Sequence, residues 1–219
     1  MTRVLSLLAV LAALISTSAN AAIVTFIDRA TFIAATGATG IGAIPSNISG
    51  GFALGGLTFS DVSGSSMVSN VNWSTLISEP TDMAISGVES FNVNAAGPLF
   101  AFGFDFHEPT TSTPPGPQFP DTCNTTCVES TFTVTLRNGA ALVDAFTFNA
   151  PNDVLAFVGV ASTVAFDRIE IRDTTNTADN EFFGNFLIGR VQAVPEPSIL
   201  ALLGLGLLGF GFARRRLAA

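Results

Sequence analysis

The chain has 219 residues, enough for one folded domain plus terminal extras. It has no Lys and no Tyr, one Trp and 20 Phe, and a formal net charge of −8. Between Ala22 and Ala193, sixteen acids stand against five Arg, a net −11. That field repels phosphate backbones and argues against a nucleic-acid partner.

The N-terminus reads as an address. Met1-Thr2-Arg3 is a positive start, Val4 to Ile15 an apolar stretch, and Ala19-Asn20-Ala21 fits the small-residue cleavage pattern. This predicts a secretory signal peptide over residues 1–21, cut after Ala21. The alternative, an uncleaved anchor, suffers from an apolar stretch too short for a comfortable span.

The body, residues 22–193, is dominated by a period of two. Strands are expected at Ile23–Ile27, Gly51–Phe59, Met67–Val71 and Glu89–Val93. Phe100, Phe102, Phe104 and Phe106 alternate with small or polar residues, as do Phe132, Val134 and Leu136, then Phe146 and Phe148. Val154–Val160, the pair Ile169 and Ile171, and Phe182–Val191 complete the set. Each is read as a strand with one buried face. Asn138-Gly139 favours a type I′ hairpin turn. One helix is expected, capped by Asp28 and carrying Ala30, Phe32, Ile33 and Ala34 as its apolar stripe. Many short strands with one early helix predict an all-β chain, a jelly-roll-like β-sandwich whose inner faces absorb the eighteen Phe of the body.

Several residues invite a chemical reading. Trp73 lies among polar residues, where stacking on a sugar ring and partial burial at a sheet edge are both open. His107-Glu108 is the obvious acid–base pair, yet His107 leads from a strand into a Pro-rich stretch, where a structural role is favoured. No G-x-S-x-G elbow is present to support a Ser-His-Asp triad. Two carboxylates could hydrolyse a glycoside only at a separation the sequence does not give. No catalytic residue is therefore assigned.

Glu108 to Glu129 interrupts the strands with five Pro and both Cys, and is expected to be a long surface loop. In an exported chain Cys123 and Cys127 are expected to form a disulfide. Its small loop would contribute only about 2 kcal/mol by the chain-entropy model. A metal site there would need more soft ligands than His107 can supply. The oxygen-rich run Asp173 to Glu181 admits a calcium site at Asp173, Asp179 and Glu181, although EF-hand spacing fails at Ala178 and Gly184. A solvated turn is the simpler reading, and no cofactor is assigned.

The C-terminus reads as a second address. Ile199 to Ala213 is apolar or Gly throughout and Arg214, Arg215 and Arg216 follow. As a helix its fifteen residues would span about 22 Å, marginal against a hydrocarbon core of about 30 Å. Snorkelling Arg would help complete a transmembrane helix. The arginines belong on the cytoplasmic side, which places the body across the membrane, in agreement with the N-terminus. Gly204, Gly206 and Gly209 spell G-x-G-x-x-G, but the strand before it and the later acid of a dinucleotide fold are missing. Pro195 and Pro197 hold Glu196 in an extended segment before this run.

Pro195-Glu196-Pro197, a Gly/Leu/Phe-rich helix and a basic cluster, over residues 194–219, resemble the PEP-CTERM sorting signal. The resemblance implies an exported protein handled by an exosortase, a membrane cysteine protease-transpeptidase, in a Gram-negative host that makes exopolysaccharide. It makes Pro195, Glu196 and Pro197 recognition residues of a substrate. Phe102-Gly103-Phe104-Asp105 and Asp167 to Gly189 resemble the β-sandwich body common in PEP-CTERM proteins, whose sandwiches look like carbohydrate-binding jelly rolls. Gly184-Asn185 departs from the Asp-Asn often found there. These resemblances imply a non-enzymatic envelope or matrix protein associated with surface polysaccharide. The alternatives are a dedicated carbohydrate-binding module and a secreted hydrolase.

Overall fold

A computed structural model describes residues 22–71, 74, 76–78, 81–109, 130–175 and 181–191. The expected signal peptide over residues 1–21, Trp73, both Cys, Asp179 and everything beyond residue 191 lie outside the described residues. No helix among the described residues is long and apolar enough to cross a membrane.

The described chain is all-β apart from one helix. Its elements are β1 (Ile23–Phe26), α1 (Arg29–Thr36), β2 (Thr39–Gly40), β3 (Phe52–Leu54), β4 (Leu57–Asp61) and β5 (Ser65–Val71). There follow β6 (Thr81–Gly87), β7 (Phe91–His107), β8 (Phe132–Asn138), β9 (Ala141–Phe148), β10 (Ala156–Asp173) and β11 (Phe182–Gly189). All pairings are antiparallel, and the principal order is β5-β6-β11-β7-β10-β8-β9.

Two long strands make this one sandwich. The second half of β7 pairs with β11 and with the first half of β10, as in Phe104↔Val158. The first half of β7 pairs with β4 and with the second half of β10, as in Val93↔Ile169. Register shifts between Ala161 and Arg168 mark where β10 turns the corner, as bulges do. One layer is therefore β5-β6-β11-β7-β10-β1, and the other is β3-β4-β7-β10-β8-β9.

Most of the described Phe rings lie between the layers, but Phe26, Phe32 and Phe157 pack outside the first layer and Phe182 packs with Ile77 and Ala84, so the inner faces do not absorb them all. Phe183 of β11 meets Phe91 edge-on at 5.0 Å, and Phe186 meets Phe59 of β4 at 4.9 Å. Phe106 meets Phe132 of β8 at 5.4 Å and Phe148 of β9 at 5.3 Å. Such tilted and edge-to-face pairs suit the ring quadrupole and bury large area without a polar atom. This is the jelly-roll-like β-sandwich that the alternation predicts.

Helix α1 closes the outside of the first layer. Asp28 caps it, accepting from the Thr31 amide at 2.7 Å, and Gly37 ends it in the left-handed region at φ 62°. Phe32 is fully buried against Phe157, Ala101, Ala161 and Leu187. It can approach because Gly103 and Gly159 are bare: a Cβ on Gly103 would stand 2.7 Å from Phe157 Cζ and 3.1 Å from Phe32 Cε1. Over Ala101–His107, β7 is thus buried on both faces, where the alternation alone predicts one.

Three local expectations are corrected. The expected strand Gly51–Phe59 is a hairpin, because Gly55 and Gly56 both take positive φ (59° and 80°) and turn the chain between Leu54 and Leu57. At the β8–β9 tip, Gly139 alone takes positive φ (58°) and Asn138 pairs with Ala141, so the turn is not type I′. The expected strands Glu89–Val93 and Phe100–Phe106 form the single strand β7.

Candidate functional site

Strand β11 departs from its register once. Gly184 pairs with Asp105 and Leu187 with Gly103, so Asn185 and Phe186 together face one residue of β7. Without the extra residue, alternation from Phe183 inward would turn Asn185 toward the core. The bulge sends Asn185 outward and restores Phe186 to the Phe core. Asn185 takes φ 50° to do so. Asn tolerates the left-handed region better than most residues, at a modest cost.

The ejected side chain meets Asp105, whose side chain is only 7% exposed. Asn185 Nδ2 donates to Asp105 Oδ2 at 2.7 Å and to Ser78 Oγ at 3.1 Å. Arg29, at the first turn of α1, donates to Asp105 Oδ1 from Nη2 at 2.7 Å and from Nε at 3.2 Å. The same Nη2 reaches the Asn185 carbonyl at 3.0 Å. The guanidinium lies 5.3 Å from the Phe157 ring centroid, in cation–π range. These groups line a cleft of about 420 Å³ whose rim carries the exposed apolar residues Ile27 and Leu155. The Thr31 hydroxyl and amide hold Asp28, at one end of the cleft, below the usual carboxylate range. Asp105 and Gly184-Asn185 stand out separately in the sequence, but the bulge that joins them is a property of the strand pairing.

A second polar cluster lies on the same outer face. Ser74 Oγ is 2.9 Å from His107 Nδ1, and it accepts the amides of Leu76 and Ile77, each at 3.2 Å. The Ser74 amide donates to Asp82 Oδ2. With its hydroxyl oxygen receiving two amides, Ser74 has its proton left for His107, which makes Nδ1 the acceptor of a neutral imidazole. Burial lowers the His107 pKa, opposed in part by the Asp153 charge. Ser74 and His107 are 2% and 7% exposed, and Asp82 Oδ2 accepts the serine amide. The arrangement ties Ser74, Leu76 and Ile77 to β7, so His107 bonds Ser74 rather than the Pro-rich stretch it leads into. Glu108 Oε1 accepts the Ser130 amide at 2.6 Å, tying together the two ends of the segment between them.

Of the residues considered for calcium, Asp173 and Glu181 are buried. Asp173 Oδ1 accepts the Thr175 amide at 2.7 Å and the Thr175 hydroxyl, a local turn. The Glu181 amide donates to Glu89 Oε1 at 3.3 Å. Among the described residues no group of three or more His, Cys, Asp or Glu is placed to hold a metal ion.

Comparison with known proteins places a PEP-CTERM protein-sorting motif at residues 193–216. No curated protein matches the chain. Among solved structures the chain is similar to a mutant family 29 carbohydrate binding module, at 16% identity, over 74% of this chain and 98% of that one, with a TM-score of 0.36. A second family 29 module matches at 14% identity over 83% and 97%, with a TM-score of 0.34. An arabinose-bound α-L-arabinofuranosidase matches at 12% identity over 60% of this chain and 23% of that one, with a TM-score of 0.41.

Proposed function

We propose that this is an exported envelope or matrix protein, cleaved at its C-terminus by an exosortase-type enzyme, whose β-sandwich associates with surface polysaccharide and catalyses nothing. The observation that carries the reading is where the sorting motif begins. Strand β11 is an interior strand of its layer, paired with β6 and β7, and it ends at Gly189. The motif starts at residue 193, leaving residues 190–192 between them. From Gly189 to Val194 the chain can reach at most about 18 Å, so the folded body stays near any membrane that holds the motif. A substrate of a membrane protease needs its recognition segment outside the fold and beside the bilayer.

In this reading residues 1–21 direct export, Pro195, Glu196 and Pro197 are recognised, and residues 199–213 hold the chain in the membrane until cleavage, with Arg214, Arg215 and Arg216 cytoplasmic. The body's negative charge suits a partner rich in hydroxyls and poor in anions. Among the hydrolase readings, the Ser74–His107 pair is accounted for by its structural role.

The polysaccharide part is tested by co-sedimentation. The mature protein from its own host should pellet with that host's exopolysaccharide and stay soluble when polysaccharide synthesis is deleted. Equal solubility in both strains would remove the association.

A further inference from the structure

We propose that the cleft built by Arg29, Asp105 and Asn185 binds a neutral sugar unit. This deepens the polysaccharide reading above and rests on it, naming the site and the class of sugar.

The hydrogen-bonding groups left over inside the cleft define the ligand. Both amide protons of Asn185 are spent on Asp105 and Ser78, which leaves its Oδ1 as an acceptor. Arg29 uses Nε and Nη2 on Asp105 and on the Asn185 carbonyl, which leaves the Nη1 donors. The Ser78 hydroxyl accepts from Asn185 and keeps a proton to give. Donors and acceptors thus lie side by side, and each hydroxyl of a vicinal pair both gives and accepts a proton. Asp105 fixes the Arg29 and Asn185 planes from below, so the groups are held before a ligand arrives, which lowers the ordering cost of binding.

The walls and the charge narrow the class. Leu155 is 42% exposed and Ile27 91%, and they offer apolar surface to the C–H face of a sugar ring. The volume, about 420 Å³, falls within the roughly 300–1,000 Å³ of small-molecule sites. Two carboxylates, Asp28 and Asp105, against one Arg leave the cleft net negative within a body of net −11. Uronic acids, sulfated sugars and phosphates are repelled there. The bulge at Asn185 is also explained, because an ordinary strand would point this amide into the core.

The test uses the mature protein from its host, titrated calorimetrically with neutral gluco-, manno- and galacto-oligosaccharides and with uronic-acid oligosaccharides. The variants are Asn185→Gly, which suits φ 50° and removes the amide, and Leu155→Ala, which trims the exposed rim. A neutral oligosaccharide should bind, roughly tenfold more weakly to Asn185→Gly, the scale of one lost hydrogen-bonding group. It should also bind more weakly to Leu155→Ala, which decides the matter if Asn185→Gly does not fold. Equal binding by wild type and the folded variants places the site elsewhere. Binding of uronic-acid sugars alone overturns the neutral class. If no oligosaccharide binds while the protein still pellets with host polysaccharide, this proposal fails and the association stands; if neither occurs, both fail.

Discussion

The hydroxyl of Ser74 lies 2.9 Å from Nδ1 of His107, and both residues are buried beneath the outer face of the first layer. The bond requires Nδ1 without a proton, and burial favours the same neutral imidazole by lowering its pKa from 6.5. In the unfolded chain His107 takes a proton as pH falls through about 6.5, while the folded chain resists until lower pH. Its contribution is therefore fully present above that pH and is lost as pH falls through the depressed folded value. Thermal melts from pH 8 to pH 5 should show the wild type losing stability on acidification more steeply than His107→Asn, whose side-chain oxygen can still accept the Ser74 proton. Parallel profiles would place the titration elsewhere.

Phe183 is fully buried and touches Phe91, Phe104, Phe106 and Phe132 at centroid distances from 5.0 to 5.9 Å. Phe183→Ala removes the ring that joins the two layers and should cost about 3–5 kcal/mol. That corresponds to a melting temperature lower by roughly 10 °C in a domain of this size. Leu142→Ala, at a site 63% exposed on edge strand β9, should stay within about 0.5 kcal/mol.

Gly103 and Gly159 form the floor under Phe32 and Phe157. A Cβ on Gly159 would stand 2.7 Å from Phe157 Cε1 and 2.9 Å from Phe32 Cδ2. Gly159→Ala and Gly103→Ala should each destabilise by about 1–3 kcal/mol through overpacking, despite the better strand propensity of Ala. Denaturant midpoints measure this. The double variant should cost less than the sum, since lifting the same two rings relieves both clashes.

The layers of this fold were legible from the period-two Phe runs, and α1 from Asp28 and its short apolar stripe. Strand β6 was not, because Met83, Ala84 and Ile85 are all buried and break the alternation. The outer burial of β7 was hidden for a related reason: Gly103 reads as a polar-face residue until Phe32 is seen above it. The cleft was legible only as separate pieces. Asp105 and Asn185 are 80 residues apart, and the bulge that turns one toward the other follows from pairing two strands out of step.

Cys123 and Cys127 lie outside the described residues and are proposed to form a disulfide. Alkylation of the mature, unreduced protein should add nothing, and alkylation after reduction should add two groups. Labelling without reduction would contradict the disulfide.

The most direct test of the account is the intact mass of the protein recovered from its own host, beside a Glu196→Ala variant. Sorting predicts a wild type that has lost the residues after about Pro197 and a variant that keeps them. If both retain Arg214, Arg215 and Arg216, the C-terminus acts as a plain anchor and the processing account is wrong.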